Sequence, residues 1–115
     1  MKSYQLGPKV TLTATAAITK RRFVSASGAH EANKNAVGVA LFDTDNGDPI
    51  TLQAAGIAVV ESGGAITAGD LLTSDTNGRA VSLTLSAVAD VAKICGVAID
   101  GATAAGEFIR VKLGL

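Results

Sequence analysis

The sequence predicts an all-β fold: a small antiparallel β-barrel or sandwich with pseudo-duplicated halves and at most one short helix. Three observations carry this. The chain has 115 residues, enough for one domain with one modest core. Apolar and polar residues alternate with period two wherever glycine is absent, as in Val10-Thr11-Leu12-Thr13 and Ile109-Arg110-Val111-Lys112-Leu113. Short phrases then occur twice: Ala17-Ile18-Thr19 and Ala65-Ile66-Thr67, Val37-Gly38-Val39-Ala40-Leu41 and Cys95-Gly96-Val97-Ala98-Ile99, Gly47-Asp48-Pro49-Ile50 and Gly106-Glu107-Phe108-Ile109. Ile66 follows Ile18 by 48 positions, Gly96 follows Gly38 by 58 and Gly106 follows Gly47 by 59, so the second half has gained residues in its middle. Two repeats are too few for a stacked solenoid, so they read as the halves of one domain.

Residues 1–9 read as an N-terminal arm, because Gly7-Pro8 breaks regular structure, and 10–115 as the single β domain. Strands are expected at 10–13, 22–25, 37–41, 50–53, 57–61, 71–73, 81–85, 95–99 and 109–113. The more continuously apolar 37–41 and 95–99 suit positions buried on both faces. Asp45-Asn46-Gly47, Ser62-Gly63-Gly64, Asp75-Thr76-Asn77-Gly78 and Ala104-Ala105-Gly106 supply the residues that tight turns demand. Only 85–92 carries apolar residues at helical spacing, with Ser86 as the expected N-cap, and it coincides with the extra residues of the second half.

Hydrophobic residues make up 48% of the chain but aromatics only 3%, with 21 Ala, 13 Gly and 11 Thr, so the core is thin and the large anchors of binding hot spots are scarce. Subunit contacts are expected to add stability. Ten basic and ten acidic residues balance, which argues against nucleic-acid binding through phosphate neutralisation. Residues 1–42 nevertheless hold six basic residues against Glu31 alone. Either this segment presents a basic patch to an acidic neighbour, or the halves interleave and the charges mix. No run approaches the ~18 apolar residues of a membrane span and no signal peptide is visible, so a soluble protein made in the cytosol is expected.

Candidate chemistry is sparse. Asp43-Thr44-Asp45-Asn46-Gly47-Asp48 resembles a calcium loop only superficially, since glycine falls fifth and the twelfth position is Ala54; a solvated turn is expected. His30 has no second histidine to help it hold a metal and is expected to be an exposed loop residue. Cys95, the one cysteine, stands where the first half has Val37 and is expected to act as a small buried hydrophobe. Phosphate-loop and nucleophile-elbow motifs are missing, so neither catalytic residues nor a cofactor or metal are expected. Lys20-Arg21-Arg22 is the one basic cluster, suited to touch nucleic acid or an acidic protein surface, or to form a solvated turn or strand face.

Ala65-Ile66-Thr67-Ala68-Gly69-Asp70-Leu71, Gly78-Arg79-Ala80-Val81, the Gly96-Val97-Ala98 strand and the terminal Gly106-Glu107-Phe108-Ile109-Arg110-Val111 together resemble the head-decoration, or capsid-cement, proteins of tailed bacteriophages. The resemblance covers most of the chain. It implies a non-enzymatic module on the outer surface of the virion, made in the host cytoplasm, that binds the major capsid protein and forms a homo-oligomer, trimer or dimer. Expected contacts are Lys2, Tyr4 and Lys9 of the arm with Lys20, Arg21 and Arg22. The same Ala-Gly-Asp hairpin is also similar to β-clip domains. The alternatives are a small carbohydrate- or ligand-binding β module, for which Tyr4 is a meagre stacking platform, or another virion component such as a tail protein.

Overall fold

The computed structural model describes residues 9–114. Nine strands form two antiparallel sheets: β1 (Lys9–Thr13), β2 (Phe23–Val24), β3 (Gly38–Ala40), β4 (Pro49–Gln53), β5 (Ile57–Glu61), β6 (Leu71–Ser74), β7 (Ala80–Ser82), β8 (Gly96–Ala98) and β9 (Phe108–Leu113). The first sheet has the order β1-β4-β3-β2 and the second β5-β9-β8-β6-β7. The arrangement is sandwich-like, and the sheets do not close into a barrel. Lys9 opens β1, and the rest of the expected arm lies outside the described residues.

The duplication is real, and each half builds one sheet. With β5 in place of β1, β6 of β2, β8 of β3 and β9 of β4, the two strand orders are the same, a Greek-key-like path in which the first strand lies beside the last. The turns repeat to the atom. Ile18 and Thr44 exchange two backbone hydrogen bonds of 2.8 and 2.9 Å, and Ile66 and Ala102, their counterparts, exchange two of 2.9 Å. Glycine in each repeated Gly-Val-Ala strand lets a neighbouring backbone approach: a Cβ on Gly38 would strike Gln53 O, and one on Gly96 would lie 2.5 Å from Lys112 O.

The turns explain the remaining motifs. The Asp70 carboxylate accepts the Thr67 N–H at 2.9 Å while Gly69 takes φ +93°, and Asp75 accepts the Asn77 and Arg79 N–H groups around Gly78, φ +79°. The β6–β7 hairpin between them belongs to the second half alone. So does the six-residue 3-10 helix Val88–Lys93. Its N-cap is Ala87 and not Ser86. Asp90, three residues on, reaches back to accept the N–H groups of both Ser86 and Ala87, the part an N3 carboxylate plays in a capping box. Beyond Ser82 the expected strand 81–85 leaves the ladder.

Two apolar clusters hold the fold. Leu52, Ile50, Val24, Ala40, Ile18 and Ala14 form the first half's own core, with Leu12 against it. The second half's equivalents, among them Val111, Ile109, Leu72, Ala98 and Ile66, form the larger cluster, which also takes in Phe23 and Val39 from the first sheet. Those two side chains, each at most 1% exposed, carry apolar contact between the two halves. Burying each contributes roughly 1.5–3 kcal/mol.

Candidate interaction surface

Lys20-Arg21-Arg22 forms the approach to β2, at the junction of the two sheets. Lys20 is exposed, and its backbone N–H donates to Asp43 Oδ1 at 2.8 Å, so the acidic turn lies against the basic one. Arg21 has φ +63°, in the left-handed region. Its N–H donates to Ala40 O at 2.8 Å, the bond that Gly69 makes to Ala98 in the second half, and its carbonyl accepts the Glu61 N–H at 2.8 Å. Arg22 does not reach solvent as a free cation: Nη2 pairs with Glu61 at 3.3 Å, and Arg79 lies 3.9 Å from the same carboxylate and 3.2 Å from Asp75. Lys20 and Arg21 form no ion pair among the described residues. Lys9 stands exposed at the start of β1, opposite Gln53, while Lys2 and Tyr4 lie outside the described residues. Of the six expected contact residues, the fold brings Lys20 and Arg21 together as available cations and turns Arg22 to an internal role.

Arginine at a left-handed position is costly, about 1–2 kcal/mol for a residue with a Cβ, and the other half shows the unstrained solution, Gly69. Arg21→Gly is therefore expected to raise stability by about 1 kcal/mol in chemical denaturation, with the two backbone bonds kept. Unchanged or lower stability would mean that the Arg21 side chain holds the fold and is not spare.

His30 is not the exposed loop residue the sequence suggests. It is half-buried, Nδ1–H donates to Phe23 O at 2.8 Å and Nε2 accepts the Thr19 N–H at 3.1 Å, which fixes a neutral imidazole. Burial, aided by nearby Arg22, holds its pKa below the ordinary 6.5 in spite of the Phe23 bond and Asp75. A depressed folded-state pKa means that protonation favours the unfolded chain. Stability is full above pH 6.5 and declines as pH falls toward the lower folded value. The melting temperature should drop across this window in the wild type and lose that slope in His30→Gln. A separate, lower window comes from carboxylates that accept several hydrogen bonds. Glu31 is held at about 2, chiefly by the Ser27 hydroxyl with Lys34 and Ser25 behind it, and Asp100 at about 2 by the Arg110 guanidinium.

Sequence reasoning missed this junction. Glu61 gave no motif, Arg79 entered only as part of the Gly78-Arg79-Ala80-Val81 phrase, and nothing local pairs Arg22 with a carboxylate 39 residues away. Asn33, at φ +56°, and Ser74 add a further cross-sheet bond of 2.9 Å. Beside it runs a shallow groove of about 340 Å³ lined by Ser25, Ser27, Glu31, Lys34 and Val37, with no aromatic side chain in its wall. Cys95 is buried as expected, its thiol pushed up to about 11 by burial.

The solved structure of the N base of the head fiber gp8.5 of bacteriophage phi29 shares this fold, with a TM-score of 0.71 over 92% of each chain and 21% sequence identity. No curated protein matches the sequence significantly. The fold is thus one seen in a bacteriophage head structure, and the family comparison sets the chain among phage structural proteins. The family model for phage cement protein matches residues 4–113, and the chain belongs to that family.

Proposed function

We propose that this protein is a capsid cement: it binds the major capsid protein on the outer surface of an assembled phage head, as a trimer or dimer, and stabilises the shell without catalysis. Membership of the phage cement protein family over nearly the whole chain is the observation that carries this reading. The physical logic supports it. Many copies on a closed shell act multivalently, so a thin Ala-rich module with few aromatic anchors can stiffen the lattice through modest individual contacts. Arg21 supports it as well, since an arginine held at a strained position where the sister half has glycine points to a use for its side chain. Lys20 and Arg21, with Lys9 and the preceding Lys2 and Tyr4, are the proposed contacts. Synthesis in the host cytoplasm precedes assembly.

Co-sedimentation of the purified protein with expanded heads of the same phage tests the reading. Saturable binding that raises the heat resistance of the shells is expected, with Lys20→Glu and Arg21→Glu raising the dissociation rate at low salt. Loss of binding on deletion of residues 1–8 at unchanged melting temperature would assign the arm to the shell. A protein that binds neither expanded nor unexpanded heads would be the ligand-binding module instead, and a glycan screen would follow.

A further inference from the structure

One backbone donor at the start of the Lys20-Arg21-Arg22 turn is held differently in the two halves. In the second half the Thr67 N–H is accepted by Asp70 Oδ2 at 2.9 Å, a carboxylate three residues along the same turn. The equivalent donor in the first half is Thr19, and Arg22, which has no acceptor to offer, stands where Asp70 does. The acceptor is brought in from the connection between β2 and β3. His30 Nε2, eleven residues from Thr19, takes its N–H at 3.1 Å.

Protonation distinguishes the two acceptors. The Thr67 N–H and the Ser82 hydroxyl hold the Asp70 carboxyl below the ordinary 3.8, so it goes on accepting in mild acid. The imidazole has no spare site. Its Nδ1–H already donates to Phe23 O at 2.8 Å, so an added proton falls on Nε2, and two donors then face each other across 3.1 Å. The ring is held where it is. It rests on Gly78, where a Cβ would strike Nδ1 and Cγ, and its loop is fastened on both sides, Ser25 N–H to Ala29 O and Asn33 N–H to Ser74 O, each at 2.9 Å. Of the charged groups near it, Arg22 on the turn opposes protonation and Asp75 on the β6–β7 hairpin favours it. Glu31, beside it in sequence, is engaged by Ser25, Ser27 and Lys34, and Arg79 by Asp75 and Glu61.

The turn is the part that can give. Between Ile18, bridged to Thr44, and Arg21, bonded to Ala40, its backbone is held by His30 on Thr19 and by Asp43 Oδ1 on Lys20. The strain of Arg21 at φ +63° is relieved when the turn opens. We propose that His30 is a pH-operated latch: the neutral ring fixes the turn that presents Lys20 and Arg21, and the protonated ring frees it, so that the shell contact is firm near neutral pH and loosens in mild acid. The effect on the shell rests on the proposed function, whereas the opening is a property of the free chain. Burial holds the imidazole pKa below 6.5 while the turn is closed, so protons favour the open turn as pH falls through that value.

Amide hydrogen exchange of the full chain, followed by nuclear magnetic resonance at about pH 7.5 and about pH 5, reads the latch. Protection of the Thr19 N–H, corrected for the intrinsic rate at each pH, should fall about tenfold in acid, the loss of one hydrogen bond, while that of the Thr67 N–H is unchanged. His30→Gln, whose amide donates and accepts at both pH values, should abolish the fall. The comparison of Thr19 with Thr67 within the wild type stands without the variant. Dissociation from expanded heads, measured in parallel, should quicken about fivefold or more in acid for the wild type but not for His30→Gln, because two cations must be ordered anew on docking. Protection at Thr19 that is the same at both pH values, or that falls equally at Thr19, Thr67 and the strand amides of the first sheet, overturns the proposal. So does an opened turn that leaves dissociation from heads unchanged. Opening at Thr19 in a protein that binds heads at neither pH keeps the latch and sinks the cement reading instead.

Discussion

Gly96→Ala is expected to cost the fold about 3 kcal/mol, read as a lower urea midpoint at unchanged slope. The new methyl would sit 2.5 Å from Lys112 O and 2.7 Å from Val111 Cγ1. Neither neighbour can move away cheaply: the first is backbone in the β8–β9 ladder, and the second is a fully buried core side chain. The strands must part, and with them the packing that Val111 contributes. Gly38→Ala should fail in the same way and to a similar degree, because Gln53 O occupies the equivalent place in the first half. Gly64→Ala is the control, since a methyl there meets nothing within 4 Å. A loss below about 1 kcal/mol at both Gly38 and Gly96 would show that the sheets tolerate separation and that the repeated Gly-Val-Ala phrase has another cause.

Gly78→Ala is expected to be at least as damaging, about 3 kcal/mol or more, and for two reasons at once. Its φ of +79° strains any residue with a Cβ, and the methyl would collide with the His30 ring and with Phe23 O at 2.7 Å. Gly47→Ala separates the two causes. It shares the strain, φ +92°, but opens into empty space, so it should cost only about 1 kcal/mol. The collision at Gly78 also pushes His30 off Phe23, so the variant should lose the stability slope near neutral pH that the buried imidazole produces. A Gly78→Ala protein that keeps that slope would show that the ring stays in place.

Much of this fold could be read from the residues. Alternation located strands whose cores are two to six residues long, and the repeated phrases anticipated that β3 and β8, or Ile18 and Ile66, do the same job. What could not be read was how the halves meet. The charge contrast around residue 42 suggested a basic and an acidic side, but the first sheet runs on to Gln53 and takes Asp43, Asp45 and Asp48 with it. Residues 9–53 therefore hold five basic and four acidic side chains, and the charges mix. Arg22 looked like one more surface cation because its partner, Glu61, comes from the other sheet, and tertiary pairing of that kind leaves no local pattern. His30 looked exposed for the same reason. The polar stretch around it, with Ser27, Glu31, Asn33, Lys34 and Asn35, says loop, but the groups that hold it are Phe23 O and the Thr19 N–H.

The extra segment of the second half has a practical meaning. Between β6 and β8 the chain carries eight residues more than between β2 and β3, yet the ladder closes in the same order. Evolution has thus already performed an insertion experiment at this point, and lengthening a loop further costs only about 0.6 kcal/mol per doubling. The outward turn around Val88, which is 89% exposed, is where a foreign peptide could be spliced so that the folded protein carries it as cargo.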